Sequence, residues 1–337
     1  MNSKKVVLVG GCGFIGHNLA IYLKKNNFEV SIVDSLSINN ILNFNNSDIN
    51  NQKLYKSILD NRIEILNKEK IELIIQDARD YHSMSRIMGQ IKPHIIIHLA
   101  AISHANVANK DPHNTFDHSL RTLENSLDIA RINKIHLIYI SSSMVYGDFK
   151  GGFVDENSEC NPVGIYGTLK LAGELMVKSY NLVYDLPFTI IRPSALYGER
   201  CVSRRVAQIL IENALENKEI VIHGDGNEKL DFTYIDDLIH GIYLCCLEDN
   251  GKNNIFNITY GQSRTIKELI SVLEKRFGNL KIVYKEKERF VPTRGTLINK
   301  NAKELLNYLP KFPIEKGYIK YIDWYMDFYK KFNAQNK

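Results

Sequence analysis

The chain has 337 residues, of which 44% are hydrophobic, and a formal net charge of +5 at pH 7. That size suits about two packed domains of ordinary globular composition. No run reaches the roughly 20 apolar residues that span a bilayer, and no basic run with interleaved aromatics marks a nucleic-acid surface, so the reading excludes both as partners and leaves an anionic small-molecule substrate.

Val6-Val7-Leu8-Val9 is a short apolar run of the kind that forms a buried strand. It begins almost at Met1, leaving no stretch for a signal peptide, so a cytoplasmic protein is expected. Gly10-Gly-Cys-Gly13-Phe-Ile-Gly16 follows directly and opens a helix from Phe14 to Lys25. Glycines at 10, 13 and 16 allow a tight turn, close approach of backbone N–H groups to a pyrophosphate, and tight helix-to-strand packing, with the phosphate at the positive helix end. Asp34 closes the next strand, Val30-Ser-Ile-Val33. A carboxylate there accepts hydrogen bonds from the adenosine ribose and repels a 2′-phosphate, which favours NAD over NADP.

A long asparagine-rich connection, with one helix from Gln52 to Leu66, leads to a strand over Ile71–Asp77. A strand over Ile95–Ala100, a helix from Asp111 to Ile132 and a strand over His136–Ser141 come next. Strands alternating with helices at this spacing predict an α/β fold with a doubly wound parallel sheet. Ligands bind such sheets beyond the carboxyl ends of the strands, where Ala100-Ala-Ile-Ser-His104 and Ser141-Ser-Ser143 fall.

Tyr166 and Lys170 stand four residues apart, hence on one face of a helix. A free phenol, with a pKa of about 10, is a poor base at neutral pH, and a neighbouring ammonium favours the phenolate by charge attraction. Tyr166 is then suited to take a proton from a substrate hydroxyl while hydride leaves the same carbon. A serine hydroxyl from the upstream triplet would hold that hydroxyl.

A strand over Phe188–Ile191, a helix over Val202–Glu216, a strand over Glu219–His223, the Gly224-Asp-Gly226 turn and a helix over Ile235–Leu247 follow. Thr265-Ile-Lys-Glu268 reads as a capping box opening a helix that ends near Gly278. The expected division is a cofactor domain over 1–190, with a segment near 228–260 returning to it, and a mainly substrate-binding domain over 191–337. Cys12, Cys160, Cys201, Cys245 and Cys246 show no C-x-x-C or Cys/His metal spacing, so reduced thiols and no metal are expected. His113 and His118 read as helix-surface or interface residues.

Several motifs in one order resemble the extended short-chain dehydrogenase/reductase family, within it the NAD-dependent nucleotide-sugar epimerase and dehydratase group. They are Gly10 to Gly16, Asp34, Asp77-Ala-Arg-Asp80, His98-Leu-Ala-Ala101, Ser141-Ser-Ser-Met-Val-Tyr-Gly147, Tyr166 with Lys170, Arg192-Pro193 before Tyr197-Gly198, Gly224-Asp-Gly226 and Asp231-Phe-Thr-Tyr-Ile-Asp-Asp237. The resemblance covers nearly the whole chain. It implies a Rossmann-type doubly wound parallel sheet with a smaller α/β C-terminal substrate domain, tightly bound NAD(H), and a homodimer paired through the helices beginning near Asp111 and Tyr166. The cofactor set it implies is Gly10, Gly13, Phe14, Ile15, Gly16, Asp34, Asp77, Ala78, Leu99, Ala100, Ala101, Tyr166, Lys170 and Pro193. The implied catalytic set is Tyr166, Lys170 and Ser142, and the substrate set is Ser103, His104, Ser142, Ser143 and Arg294.

By the same resemblance the substrate is a nucleotide-diphosphate sugar, a hexose or heptose on GDP or UDP, in polysaccharide precursor synthesis. Oxidation at C4 leads to a 4-epimerase if hydride returns to the other face, or to a 4-dehydrogenase if the ketone leaves. Dehydratases of the group carry acidic residues where this chain has Ser143 and Met144, which argues against 4,6-dehydration. A 4-keto-sugar reductase, or a non-enzymatic NAD-binding sensor or scaffold, is the alternative; proteins of the latter kind typically lack the tyrosine. The chain departs from its relatives at Ala195, at Leu230 beside Lys229, and at Phe116 and Ser119. Those departures imply a different grip on the diphosphate.

Overall fold

The computed structural model describes residues 3–38, 40–44, 51–103, 105–286 and 292–335. Seven strands pair in the order Asn254–Asn257, Phe188–Arg192, His136–Ile140, Ile95–His98, Lys5–Val9, Glu29–Asp34 and Glu72–Ile75. Every pairing in this sheet is parallel. Such strands are covered on both faces, which is why they read as unbroken apolar runs. Val6 and Leu8 face one core, with Leu19, Leu54 and Ile58 from helices Phe14–Lys25 and Gln52–Lys68. Val7 and Val9 face the other, with Met84, Leu123 and Val177 from helices Tyr81–Ile91, Thr122–Asn133 and Ile165–Tyr184.

The chain winds outward from Lys5–Val9 through the next two strands, then returns to the other side of Lys5–Val9 with Ile95–His98. That reversal opens a crevice at the carboxyl ends of those two strands. Asn254–Asn257 closes the far edge beside Phe188–Arg192. The remaining C-terminal residues form short two-stranded pairs, such as Ile220–His223 with Ile282–Lys285, and helices including Ile266–Phe277 and Ile314–Gln335. The capping box forms, Thr265 and Glu268 each bonding the other's backbone amide.

Two helices differ from their expected form. Over Asp111–Ile132 the helix begins at Pro112, capped by Asp111, and widens into a π segment at Asp117–Arg121 before Thr122–Asn133. Within it the Thr122 hydroxyl donates to the His118 carbonyl, a local bond that competes with the regular ladder. The helix expected from Val202 starts only at Val206. Gln208 is the reason: its side-chain oxygen takes the Ser203 and Arg204 amides, each at 2.9 Å, and holds them as a loop. The closing helix, Ile314–Gln335, buries Tyr318, Tyr321, Ile322 and Tyr325 at helical spacing, a stripe present in the sequence that the reading above did not use.

Candidate active site

The crevice is a cleft of about 660 Å³ bordered by the Gly10–Gly16 loop, the 76–78 turn, the residues after Ile95–His98, and Tyr166 with Lys170. Every site residue expected from the sequence lines it except His104, which lies outside the described residues. The glycines differ in why they are glycines. A Cβ at Gly10 would stand 2.7 Å from the Ala100 backbone, and one at Gly16 would stand 2.4 Å from the Gly11 carbonyl oxygen. At Gly13 a Cβ would meet only the Gly10 carbonyl oxygen, at an ordinary 3.5 Å. The protein itself therefore leaves room at Gly13, which caps the helix Phe14–Lys25 with no side-chain bond. A bare helix start bordering a cleft suits a pyrophosphate. Asp34 accepts from the Cys12 and Leu36 amides, both at 2.8 Å, one on each carboxylate oxygen, so each oxygen keeps a lone pair for ribose hydroxyls. Burial raises its pKa, and those amides work against the rise. Asp77 is gripped by the forked guanidinium of Arg79, and the hydrogen bonds from that group hold its carboxyl below the usual range. These groups fit NAD.

Tyr166 and Lys170 are both buried on one face of helix Ile165–Tyr184. The helix lies close on strand His136–Ile140 because Gly173 presses on the Tyr139 hydroxyl, which a Cβ would meet at 2.4 Å. Lys170 Nζ donates to the Ile140 carbonyl at 2.7 Å and stands 5.0 Å from the Tyr139 ring centroid. Burial pushes its pKa down to about 8, against the opposing pull of Glu174. Ser142 Oγ accepts the Met144 amide at 3.2 Å, which leaves its own hydrogen to donate toward the cleft.

Beneath this group lies a pair that the sequence reading missed. Glu174, one helical turn beyond Lys170, accepts from Arg192 Nε at 2.9 Å and Nη2 at 2.6 Å, and from Ser141 Oγ at 2.6 Å. The side chains are 0% and 2% exposed. Two signals were available: the i+4 ladder Tyr166–Lys170–Glu174, and a charge ending the apolar strand Phe188–Arg192, since a buried charge needs a partner. Arg62 was missed as well. It is buried, donates twice to the Arg200 carbonyl at 3.1 and 2.6 Å, and lies close to Asp34 across the cleft wall.

Arg294 is not a solvated surface arginine. Its guanidinium lies 5.0 Å from the Phe149 ring centroid, donates to Ser143 Oγ, and approaches Met144 Sδ at 2.7 Å. Its buried Nε has no hydrogen-bond partner among the described residues. Ser103 is exposed, and its carbonyl accepts from Arg205 Nη2 at 2.6 Å.

The chain is 29% identical, over 95% of its length and 97% of the relative's, to a putative UDP-glucose 4-epimerase of Methanocaldococcus jannaschii. It is 26% identical to human dTDP-D-glucose 4,6-dehydratase over 96% of this chain and 91% of that one. A crystal structure of UDP-glucuronic acid 4-epimerase from Bacillus cereus, in complex with UDP-glucuronic acid and NAD, superposes with a TM-score of 0.85 at 26% identity, covering 96% of this chain and 99% of that one. The family model described as the NAD dependent epimerase/dehydratase family matches residues 6–259, and with the glycine loop, Asp34 and the Tyr166–Lys170 pair assembled in one cleft, the chain belongs to that family.

Proposed function

We propose that this enzyme oxidises the C4 hydroxyl of a nucleotide-diphosphate sugar and works as a 4-epimerase or 4-dehydrogenase. The observation that carries the reading is the convergence of Tyr166, Lys170 and Ser142 beside the glycine loop in one cleft. Gly13 and the start of helix Phe14–Lys25 would hold the cofactor's pyrophosphate, Asp34 its adenosine ribose, and Lys170 its nicotinamide ribose. NAD, when bound, supplies the acceptor for the hydride and, in an epimerase, gives it back. Ser142 donates to the substrate oxygen and fixes its lone pairs, and Tyr166 takes the hydroxyl proton onto its phenol oxygen. The ammonium of Lys170 keeps positive charge beside the proton acceptor.

Relatives named as epimerases and as dehydratases resemble the chain to similar extents, so the preference for chemistry confined to C4 rests on side chains. Ser143 is engaged by Arg294 and Met144 carries no acidic group, so neither side chain supplies a carboxylate to remove a C5 proton. We also propose residues 1–190, with a returning segment near 228–260, as the cofactor domain, and residues 191–337 as mainly substrate-binding. Exposed Leu175, Leu182 and Val183 on helix Ile165–Tyr184, with Phe116 on the neighbouring helix, support a two-fold dimer.

The test is the near-ultraviolet nicotinamide absorbance of the purified protein, recorded with a panel of GDP-, UDP- and dTDP-sugars. A reduced-nicotinamide band that grows and persists with one sugar identifies a dehydrogenase. A new sugar epimer without a lasting band identifies an epimerase. Tyr166→Phe should lower turnover by about 10²-fold or more, and undiminished turnover in that variant would sink the mechanism.

A further inference from the structure

Two peptide units of the glycine loop, Cys12–Gly13 and Gly13–Phe14, supply the amides at the start of helix Phe14–Lys25. The first amides of a helix have no partner within it, and Gly13 caps this one with no side-chain bond. The carbonyls of the same two units are taken from the other side by cations. Arg62 Nη1 reaches the Cys12 carbonyl at 3.5 Å, beside Asn40 Nδ2 at 3.4 Å. The Gly13 carbonyl is 2.9 Å from His17 Nδ1, and His17 Nε2 is 3.1 Å from Arg200 Nε.

The direction of this relay is fixed by its chemistry. Burial, joined by the charges of Arg62 and Arg200, holds the pKa of His17 well below the ordinary imidazole value, so the ring is neutral. A guanidinium only donates, so Nε2 carries the lone pair and the ring hydrogen sits on Nδ1, where it donates to the Gly13 carbonyl. A hydrogen bond received by a carbonyl polarises its peptide unit and strengthens the N–H at the other end as a donor. Those N–H groups are the Gly13 and Phe14 amides.

The two arginines also lack an anion. Among the described residues their bonds go to the Arg200 and Cys12 carbonyls, His17 and the Asn18 side-chain oxygen, and none goes to a carboxylate. Burial, joined by the Arg200 charge, pushes the pKa of Arg62 down to about 10 against the pull of Asp34. Two guanidiniums gathered inside a protein are an unfavourable arrangement until negative charge comes near. Arg200 moreover adopts φ +62°, a left-handed conformation uncommon outside glycine, with its carbonyl held by Arg62 Nε and Nη2 at 3.1 and 2.6 Å.

We infer that Arg62, and Arg200 through His17, are positioning residues that charge the Gly13 and Phe14 amides from behind the glycine loop and so strengthen its hold on the cofactor's pyrophosphate. This inference rests on the placement of the pyrophosphate at Gly13 proposed above.

The experiment is calorimetric titration of the full-length protein, freed of cofactor, with NAD, ADP-ribose and adenosine, for wild type, Arg62→Gln, Arg200→Gln, Arg62→Lys and Gly13→Ala. Each glutamine variant keeps a donor but loses the charge. It should bind NAD and ADP-ribose about tenfold more weakly while adenosine, which has no phosphate, stays within about twofold. Arg62→Lys should retain part of the affinity, because it keeps the charge but not the fork. Equal losses for adenosine and ADP-ribose mean only a displaced loop and overturn the inference. So does wild-type affinity for ADP-ribose in both glutamine variants when Gly13→Ala has lost it. Wild-type affinity in Gly13→Ala overturns the pyrophosphate placement, and this inference with it. Nitrogen-15 NMR of the His17 ring in the wild-type protein needs no variant: a neutral ring protonated on Nδ1 is expected at pH 7, and a ring protonated on Nε2 or on both nitrogens overturns the inference.

Discussion

Replacing Glu174 by glutamine removes one negative charge from the buried side of helix Ile165–Tyr184 and changes little else in shape. Glu174 Oε1 receives Arg192 Nε and Ser141 Oγ, and Oε2 receives Arg192 Nη2. An amide offers one acceptor and one donor end, so whichever way the new side chain turned, its NH₂ would face at least one N–H or O–H donor. Arg192 would keep the Tyr146 hydroxyl at 2.9 Å and the Glu156 carbonyl at 3.4 Å but would have no carboxylate at ion-pair distance among the described residues. Both side chains of the pair are within 2% of fully buried, so solvent screening does not reduce the penalty. Breaking one partner of such a pair costs about 3–5 kcal/mol. With an unfolding entropy of about 2.1 cal/mol/K per residue, and the chain treated as one cooperative unit, that is a fall in Tm of about 4–7 °C. Urea unfolding at pH 7 and a thermal scan measure it. A loss below about 1 kcal/mol would refute the claim that this pair holds strand Phe188–Arg192 to helix Ile165–Tyr184. The same variant has a second readout, since Glu174 is the group that opposes the downward shift of Lys170. Its removal should move the alkaline limb of kcat/KM to lower pH than in wild type.

That limb is itself a prediction for the wild-type enzyme. Lys170 carries its charge in the folded protein below about 8 and loses it above, so kcat/KM should fall as pH rises through about 8, and Lys170→Arg should abolish the fall in whatever activity it retains. The stability term has the opposite sign. The folded protein binds fewer protons at Lys170 than the unfolded chain between about 8 and the unperturbed lysine value of about 10.4, so this group's contribution to stability rises across that window. Gly13→Ala and Gly16→Ala should separate ligand from fold. Gly13→Ala should keep Tm within about 2 °C, because its Cβ meets nothing closer than 3.5 Å, yet weaken NAD binding about tenfold or more as its methyl enters the pyrophosphate's space. Gly16→Ala should lower Tm as well, because its Cβ falls 2.4 Å from the Gly11 carbonyl oxygen. Equal Tm losses in both, measured with and without NAD, would contradict this division.

The parts that could be read from the chain are those whose physics is local. Apolar runs of four or five residues set the strands, a four-residue spacing put Tyr166 and Lys170 on one helical face, and Thr265 with Glu268 formed the capping box as written. Motif order carried the reading further, because the glycine loop, Asp34 and the Tyr166–Lys170 pair each lie beside a strand end and strand ends meet in a doubly wound sheet. The start of the helix near 202 was misjudged because propensity favours continuing a helix, whereas Gln208 claims the Ser203 and Arg204 amides and stops it.

What only the tertiary structure decided are contacts between residues far apart in the chain. Arg192 reaches Glu174 across 18 positions, and Arg294 reaches Ser143 across 151. Arg205 reaches the Ser103 carbonyl across 102. No periodicity encodes such partners, since the order in which strands and helices stack sets which side chains share a cavity. The amino-acid sequence by itself determined the sheet, the glycine loop and the helical face that carries Tyr166 and Lys170, because a strand, a turn and a helix each follow from neighbours within a few residues. The buried charges behind that face, and the cations that line the cleft, were settled by packing, because a charge inside a protein takes its meaning from whichever group the fold brings against it.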